Sequence, residues 1–262
     1  MIRENIYTEH LDIGIGVVIH PSAVIRGLNG LARHIRIGDH TYIGADVQII
    51  CDEFSIGDYS KIHHHTNIHG YQACSIGHNA WIGQYVIIDS IGKTSIGNNC
   101  CIGASSHLWS HIKFGDTLEG CRFNASRSLQ IGNDVWIAGH CTITPIHAAD
   151  KSMVLAGSVV TSDLEYNTVY AGQPAKSISG KIGNQFDCIS MEEKIKRLQA
   201  LVDAWGGPKD KIKIIDNSFD YNMDDDLVYL NIADRTYTKK HLEYEISLMK
   251  YLLPEKAKFT PM

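Results

Sequence analysis

The chain has 262 residues, a formal net charge of −5 at pH 7 and 44% hydrophobic residues, enough for one large domain or one domain with a small appendage. Acidic and basic residues are interspersed, with no basic cluster of the kind that holds phosphate backbones, so nucleic-acid binding is not expected. No apolar run is long enough to span a bilayer, and the opening Met-Ile-Arg-Glu-Asn-Ile lacks the apolar stretch of a signal peptide. Seven scattered cysteines without a CxxC pair read as reduced thiols, so the expected location is cytoplasmic.

From the N-terminus onward, an internal repeat dominates. Aliphatic residues fall in triplets spaced by six: Ile13/Ile19/Ile25, Ile37/Ile43/Ile49, Ile56/Ile62/Ile68, Ile76/Ile82/Ile88, Ile96/Ile102/Leu108 and Ile131/Ile137/Ile143. Six residues per side and three sides per turn predict a triangular parallel β-helix. Position one points an aliphatic side chain inward. Position two is often Gly, where a Cβ would crowd the turn. Position five must also face inward in little room, and it holds Thr41, Val47, Ser60, Thr66, Ala80, Val86, Cys100, Ser106, Val135 and Cys141, all small and uncharged. Extra residues between triplets always fall after the third side, so insertions stack on one edge of the prism. About six or seven coils at ~4.8 Å each give a core roughly 30 Å tall.

The largest break in the register lies between Leu108 and Ile131, where the step is twenty-three residues. A β-helix tolerates that only as an external loop, and long loops on rigid scaffolds are often functional. His107 ends the last hexad before it. The loop carries Trp109, His111, Asp116, Glu119 and Arg122. Trp109 suits stacking on a sugar face, and the polar residues suit hydroxyls or a phosphate, although an ordinary solvated flap has the same composition. After the loop come Val135-Trp136-Ile137-Ala138-Gly139, then Ala156-Gly157-Ser158-Val159-Val160-Thr161, then Val169-Tyr170-Ala171-Gly172-Gln173-Pro174-Ala175-Lys176. Between Pro145 and Ala156 the coil is expected to be irregular, because Ile146-His147-Ala148-Ala149 replaces an aliphatic-Gly step.

On these motifs the stretch from Ile13 to about Ile178 resembles the hexapeptide-repeat acyltransferases, most closely the galactoside and xenobiotic acetyltransferases. The resemblance implies a left-handed coil, a departure from the right-handed crossover rule, and a homotrimer with sites between adjacent subunits. It implies acetyl-CoA as co-substrate and no metal. It makes His107 the general base, a role for which imidazole suits because its ordinary pKa lies near working pH. The residue orienting His107 stays open between Glu119 and Asp89. Trp109, His111, Glu119, Arg122 and Trp136 are the expected acceptor contacts. By position, Gly139 and Ala156 would flank the thioester end of the cofactor, with Gly157, Ser158, Gly172 and Pro174 continuing the slot. Thr161 and Ser162 would face its middle, and Lys176 its phosphates or adenine. Ser162 departs from the pattern, since a lysine is common there. The expected chemistry is acetylation of a sugar hydroxyl, with the amino group of a nucleotide-linked amino sugar as the alternative.

Two other readings stand beside it. Ile62-His63-His64-His65-Thr66-Asn67-Ile68-His69-Gly70 resembles the γ-class carbonic anhydrases, whose interface zinc takes three histidines, two spaced as His64 and His69 are. The third ligand is missing, since Ile25 to Leu31 holds no histidine and His20 and His40 are out of step. The other reading is a non-catalytic binding or scaffold protein.

The repeat domain is expected to span 1–180 with its external loop at 108–130, followed by a C-terminal α/β extension over 181–262. In the extension, Ser190-Met-Glu-Glu193 predicts a capping box opening a helix with Ile195, Leu198, Leu201, Val202 and Trp205 on its apolar face, ended by Gly206-Gly207-Pro208. Lys211–Asp216 and Leu227–Asp234 read as strands. Leu242, Ile246, Met249 and Leu253 mark a final helix face. The extension reads as an end cap or trimer-stabilising module, with acceptor binding as the alternative.

Overall fold

The computed structural model describes residues 5–216 and 226–262; residues 1–4, part of the opening segment, lie outside them. The chain divides into two compact units, the first running to Phe186 and the second from Asp187 to Met262. The first is a three-sided parallel β-helix. The spacing of six is realised as stacking. On the first face Ile37, Ile56, Ile76, Ile96 and Ile131 pair in succession. On the second face the column is Ile43, Ile62, Ile82, Ile102 and Ile137. On the third it is Ile49, Ile68, Ile88, Leu108 and Ile143. All of these are buried, and each such side chain contributes about 1.5–3 kcal/mol of transfer free energy. The ten small position-five residues are buried too, as expected.

The corners show how a short repeat turns without proline. The left-handed turn residue lies two places after the glycine position and is seldom glycine itself: His40, Asn79, Asn99 and Asp134 at the corner between the first and second faces, Asp46, His65, Tyr85 and Ser105 between the second and third. Asn, Asp and His tolerate this region better than most residues. The glycine has a different cause. A Cβ on Gly57 would stand 2.6 Å from the backbone nitrogen of His78 and 2.7 Å from the carbonyl carbon of Gly77, so the next coil leaves no room for it.

Three expectations change. Ile13 holds the right register against Ile37 but is exposed, and Ile19 is only partly buried. They sit in the first coil, with none below to cover them. The coil over 145–156 is regular: Ala148, Val154 and Val160 stack on Ile131, Ile137 and Ile143. Ladder hydrogen bonds keep the register there with only a methyl group at position one, and Ile146 is buried alongside. The external loop contains a short antiparallel hairpin, His111–Lys113 against Asn124–Ser126, with Phe114, Leu118 and Phe123 exposed on it.

A last antiparallel strand, Ala175–Ser177, closes the second face, and a short helix α1 (Ser179–Ile182) follows. In the second unit, α2 (Met191–Ala204) opens at Ser190, whose Oγ accepts the Glu193 N–H at 3.2 Å. The Glu193 carboxylate accepts from Arg197 Nε at 2.7 Å. Leu198, Val202 and Trp205 are buried. Four strands, Ile212–Ile215, Val228–Asn231, Thr236–Tyr237 and Thr260–Pro261, form a small sheet. The helix α3 (Glu243–Leu252) buries Glu245, Leu248, Met249 and Leu252, a face rotated from the expected one. Glu245 is turned inward because its carboxylate accepts the Lys240 N–H at 2.7 Å and the Leu242 N–H at 3.4 Å. Burial pushes its pKa above the ordinary carboxylate value against those bonds.

Candidate active site at the root of the hairpin

The chemistry-bearing residues gather at the corner between the third and first faces, where the repeat carries its extra residues. Strand Ile87–Asp89 ends on Asp89, which is 5% exposed. A buried carboxylate needs donors, and the next coil provides them. The Ser110 N–H donates to Asp89 Oδ2 at 2.9 Å, and the Ser110 hydroxyl donates to the same oxygen. His111 Nδ1 lies 2.9 Å from it. A carboxylate only accepts, so Nδ1 carries a proton, and in the neutral imidazole Nε2 is the nitrogen with the lone pair. The His111 side chain is 20% exposed, enough for a substrate to reach it. Ser110 Oγ also accepts the Gly92 N–H at 2.8 Å, and Thr94 Oγ1 donates to the Asp89 carbonyl at 2.7 Å. The Asp89 corner and the root of the hairpin are thereby tied together.

His107 lies four residues earlier, paired in register with Ile87 below and Thr142 above. Its ring meets the Trp109 edge at a centroid separation of 6.2 Å, and Trp109 meets His111 at the same separation. The three rings run His107–Trp109–His111 along one side of the chain. Of the two carboxylates weighed as the orienting residue, Asp89 is bonded to His111. Glu119 and Arg122 lie exposed on the hairpin. Trp136 stands exposed on the second face between Cys101 and Met153, a different side of the prism from His107. The buried aspartate bonded to an imidazole was the pairing that sequence reasoning missed; its signal was an acidic residue at a strand end before an eight-residue step.

The closing signatures also come together. Gly157 N–H donates to the Gly139 carbonyl at 3.1 Å, placing both on one column of the corner between the second and third faces. Gln173 Nε2 donates to the Gly157 carbonyl at 2.7 Å, and the Gly172 N–H donates to Ser158 Oγ at 3.1 Å. Gly157 has φ +71° and Gly172 φ +102°, and no atom lies within 4 Å of where a Cβ on Gly157 would be. Ala156, Pro174 and Lys176 are exposed in these signatures, and Thr161 and Ser162 are exposed just after Val160, at the corner between the third and first faces.

The histidine run is divided between faces. His63 packs on Trp81 with centroids 4.3 Å apart, and His65 stacks on Tyr85 at 5.0 Å. Burial, with Lys61 and His64 adding positive charge nearby, holds the His63 pKa below its ordinary value. His69 lies on the third face, in register with Asp89. Among the described residues, no three His, Cys, Asp or Glu side chains gather in a geometry able to hold a metal ion.

Comparison with known proteins matches residues 93–108 to the model described as the hexapeptide repeat of succinyl-transferase. A chloramphenicol acetyltransferase from Morganella morganii is 27% identical over 147 residues, covering 48% of this chain and 65% of that protein. The Escherichia coli galactoside O-acetyltransferase is 45% identical over 51 residues, covering 19% of this chain and 25% of that one. The chain thus spans less than two thirds of the length of these relatives. The crystal structure of a UDP-N-acetylglucosamine acyltransferase from Bacteroides fragilis superposes with a TM-score of 0.51 at 18% identity, covering 79% of this chain and 87% of that one. The first unit is therefore a left-handed parallel β-helix, and the resemblance to the hexapeptide-repeat acyltransferases read from its repeats is borne out.

Proposed function

We propose that the protein is an acetyl-CoA-dependent acetyltransferase acting on a carbohydrate acceptor, with His111 as general base and Asp89 holding its ring. The observation that carries this reading is the bond from His111 Nδ1 to a buried carboxylate at the root of the hairpin. A general base needs a free lone pair, a fixed ring and a neighbour that stabilises its protonated form. His111 has all three. Its Nε2 takes the proton of an acceptor hydroxyl as that oxygen bonds to the acyl carbon. The carbon–sulfur bond breaks, and the imidazolium returns the proton to the leaving thiolate, so atoms and charge balance. Asp89 faces the imidazolium throughout.

The open backbone at Ala156 and Gly157, with Gly139, Ser158, Thr161, Ser162, Gly172, Pro174 and Lys176, supports pantetheine binding there. Carbohydrate is favoured by the exposed aromatic and polar hairpin and by the galactoside acetyltransferase among the relatives. O-acetylation is preferred over N-acetylation on that likeness. Assembly as a homotrimer follows the same resemblance. A cytoplasmic location is supported by seven unpaired cysteines.

The second reading makes His107 the base, since the resemblance places the catalytic histidine at the end of this coil. Thiol release from acetyl-CoA, measured against a panel of sugars and nucleotide-linked amino sugars, separates the two. His111→Ala should lower kcat by roughly 10²–10⁴ with CoA affinity retained. Loss confined to His107→Ala would move the base to His107. Near-normal turnover in both variants would end the proposal.

A further inference from the structure

We propose that Ser110 is a positioning residue for His111, acting through Asp89, an inference that rests on reading His111 as the base. Ser110 is fully buried, so it has no surface to offer an acceptor or a cofactor. Its backbone N–H and its hydroxyl both donate to Asp89 Oδ2, the oxygen that meets His111 Nδ1. The hydroxyl oxygen in turn accepts from the Gly92 N–H. One side chain therefore links the backbone of the Asp89 corner to the carboxylate. Rotation of the carboxylate would withdraw Oδ2 from the imidazole and break both Ser110 bonds together, so Ser110 opposes that rotation.

The surroundings explain why serine suits the place. Gly92 is wedged between the two ends of the hairpin: a Cβ there would stand 2.5 Å from the Arg127 carbonyl oxygen and 2.7 Å from that of Ser110. The hairpin root thus lies directly against the corner, and the side chain between them must donate to the carboxylate and accept from the Gly92 N–H at once. Serine does both with one rotatable hydroxyl. Alanine would leave the Gly92 N–H without its acceptor and the carboxylate with one donor fewer, each in a site closed to water. Because His111 is the next residue, any freedom gained by Ser110 passes directly to the ring.

The tautomer of His111 reads this out without an acceptor. In protein with ¹⁵N-labelled histidine, a long-range ¹H–¹⁵N spectrum at neutral pH should show His111 with its proton on Nδ1. Asp89→Asn should shift the population toward the Nε2–H form, as loss of a triad carboxylate does elsewhere. Ser110→Ala should give a mixture of the two tautomers with the other histidines unchanged. Ser110→Thr, which keeps the hydroxyl, should restore the single form. Adding Ser110→Ala to Asp89→Asn should change nothing further. A single Nδ1–H tautomer persisting in Ser110→Ala would overturn the proposal. Should that variant not fold, Ser110→Cys, a far weaker donor of similar size, is read the same way. Thiol release from acetyl-CoA separates the two claims: full turnover by His111→Ala would remove the base while leaving the tautomer result in place.

Discussion

Two corners of the same prism are built from the same hexapeptide repeat and behave differently. Between the second and third faces every side keeps its six residues, and the turn is made by a single left-handed residue such as Asp46, His65, Tyr85 or Ser105. The side chains there project outward and stack on one another, as His65 does on Tyr85. Between the third and first faces the chain carries extra residues, and there Asp89, Ser90, Thr94 and Ser110 are buried. At the regular corner between the first and second faces, Asp39 and Asp58 are also buried, and their carboxylates accept backbone N–H groups of Ile15 and Asp39 from the coil below. What the extra residues add at the third corner is a hairpin root that brings a hydroxyl and an imidazole, as well as a backbone N–H, onto one buried carboxylate oxygen of Asp89, where the shielding from water strengthens its hold on the ring. The interruption in the repeat is therefore where an imidazole is brought onto a buried carboxylate.

The contrast can be broken most sharply at Asp89. Asp89→Asn should lower kcat for acetyl transfer by about 10²–10⁴ through the wrong imidazole tautomer, whereas Asp46→Asn, at the regular corner, should leave it unchanged; equal losses would erase the distinction. Next in size is the core that both corners share. Ile102 is fully buried, and Ile102→Ala should reduce unfolding free energy by about 2–5 kcal/mol in urea titrations. Gly92→Ala should cost about 1–3 kcal/mol, because a Cβ would press on backbone at both ends of the hairpin. It should also speed hydrogen exchange in Trp109–Ser128 relative to the coils.

The smallest effect concerns the second face and pH. His63 titrates below its ordinary 6.5, chiefly through burial, so the folded chain holds fewer protons than the unfolded chain just below that value. Its contribution to stability is complete above 6.5 and is lost as pH falls through the folded pKa. Melting temperatures at pH 5 and pH 7.5 should differ less in His63→Asn than in the parent protein. An undiminished difference would show that other groups govern acid sensitivity.

Much of the first unit was legible from residue order. The triplets gave the observed pairing from Ile13 with Ile37 to Leu108 with Ile143, because backbone ladders pin every coil to the one before. The ten small position-five residues were legible for the same reason. The coil over 145–156 was misread, since Ala148 lacks the bulk by which position one is recognised. The face of α3 was misread because a charged residue, Glu245, turned inward to bind backbone amides of 240 and 242. At the site, the sequence reading assigned the base role to His107 and an acceptor contact to His111, with Asp89 as one of two partners for His107. Spacing did not show that Asp89 bonds to His111, because imidazoles four residues apart fall on the same side of an extended chain.

The order of residues alone determined the prism, its columns and the corner at which insertions collect, because a period of six is a local property that each coil repeats. Tertiary structure alone decided that Asp89 reaches forward one coil to His111 rather than to His107. That choice depends on how an eight-residue corner and a hairpin root pack against each other through Gly92 and Ser110, contacts between segments that no spacing along the chain encodes.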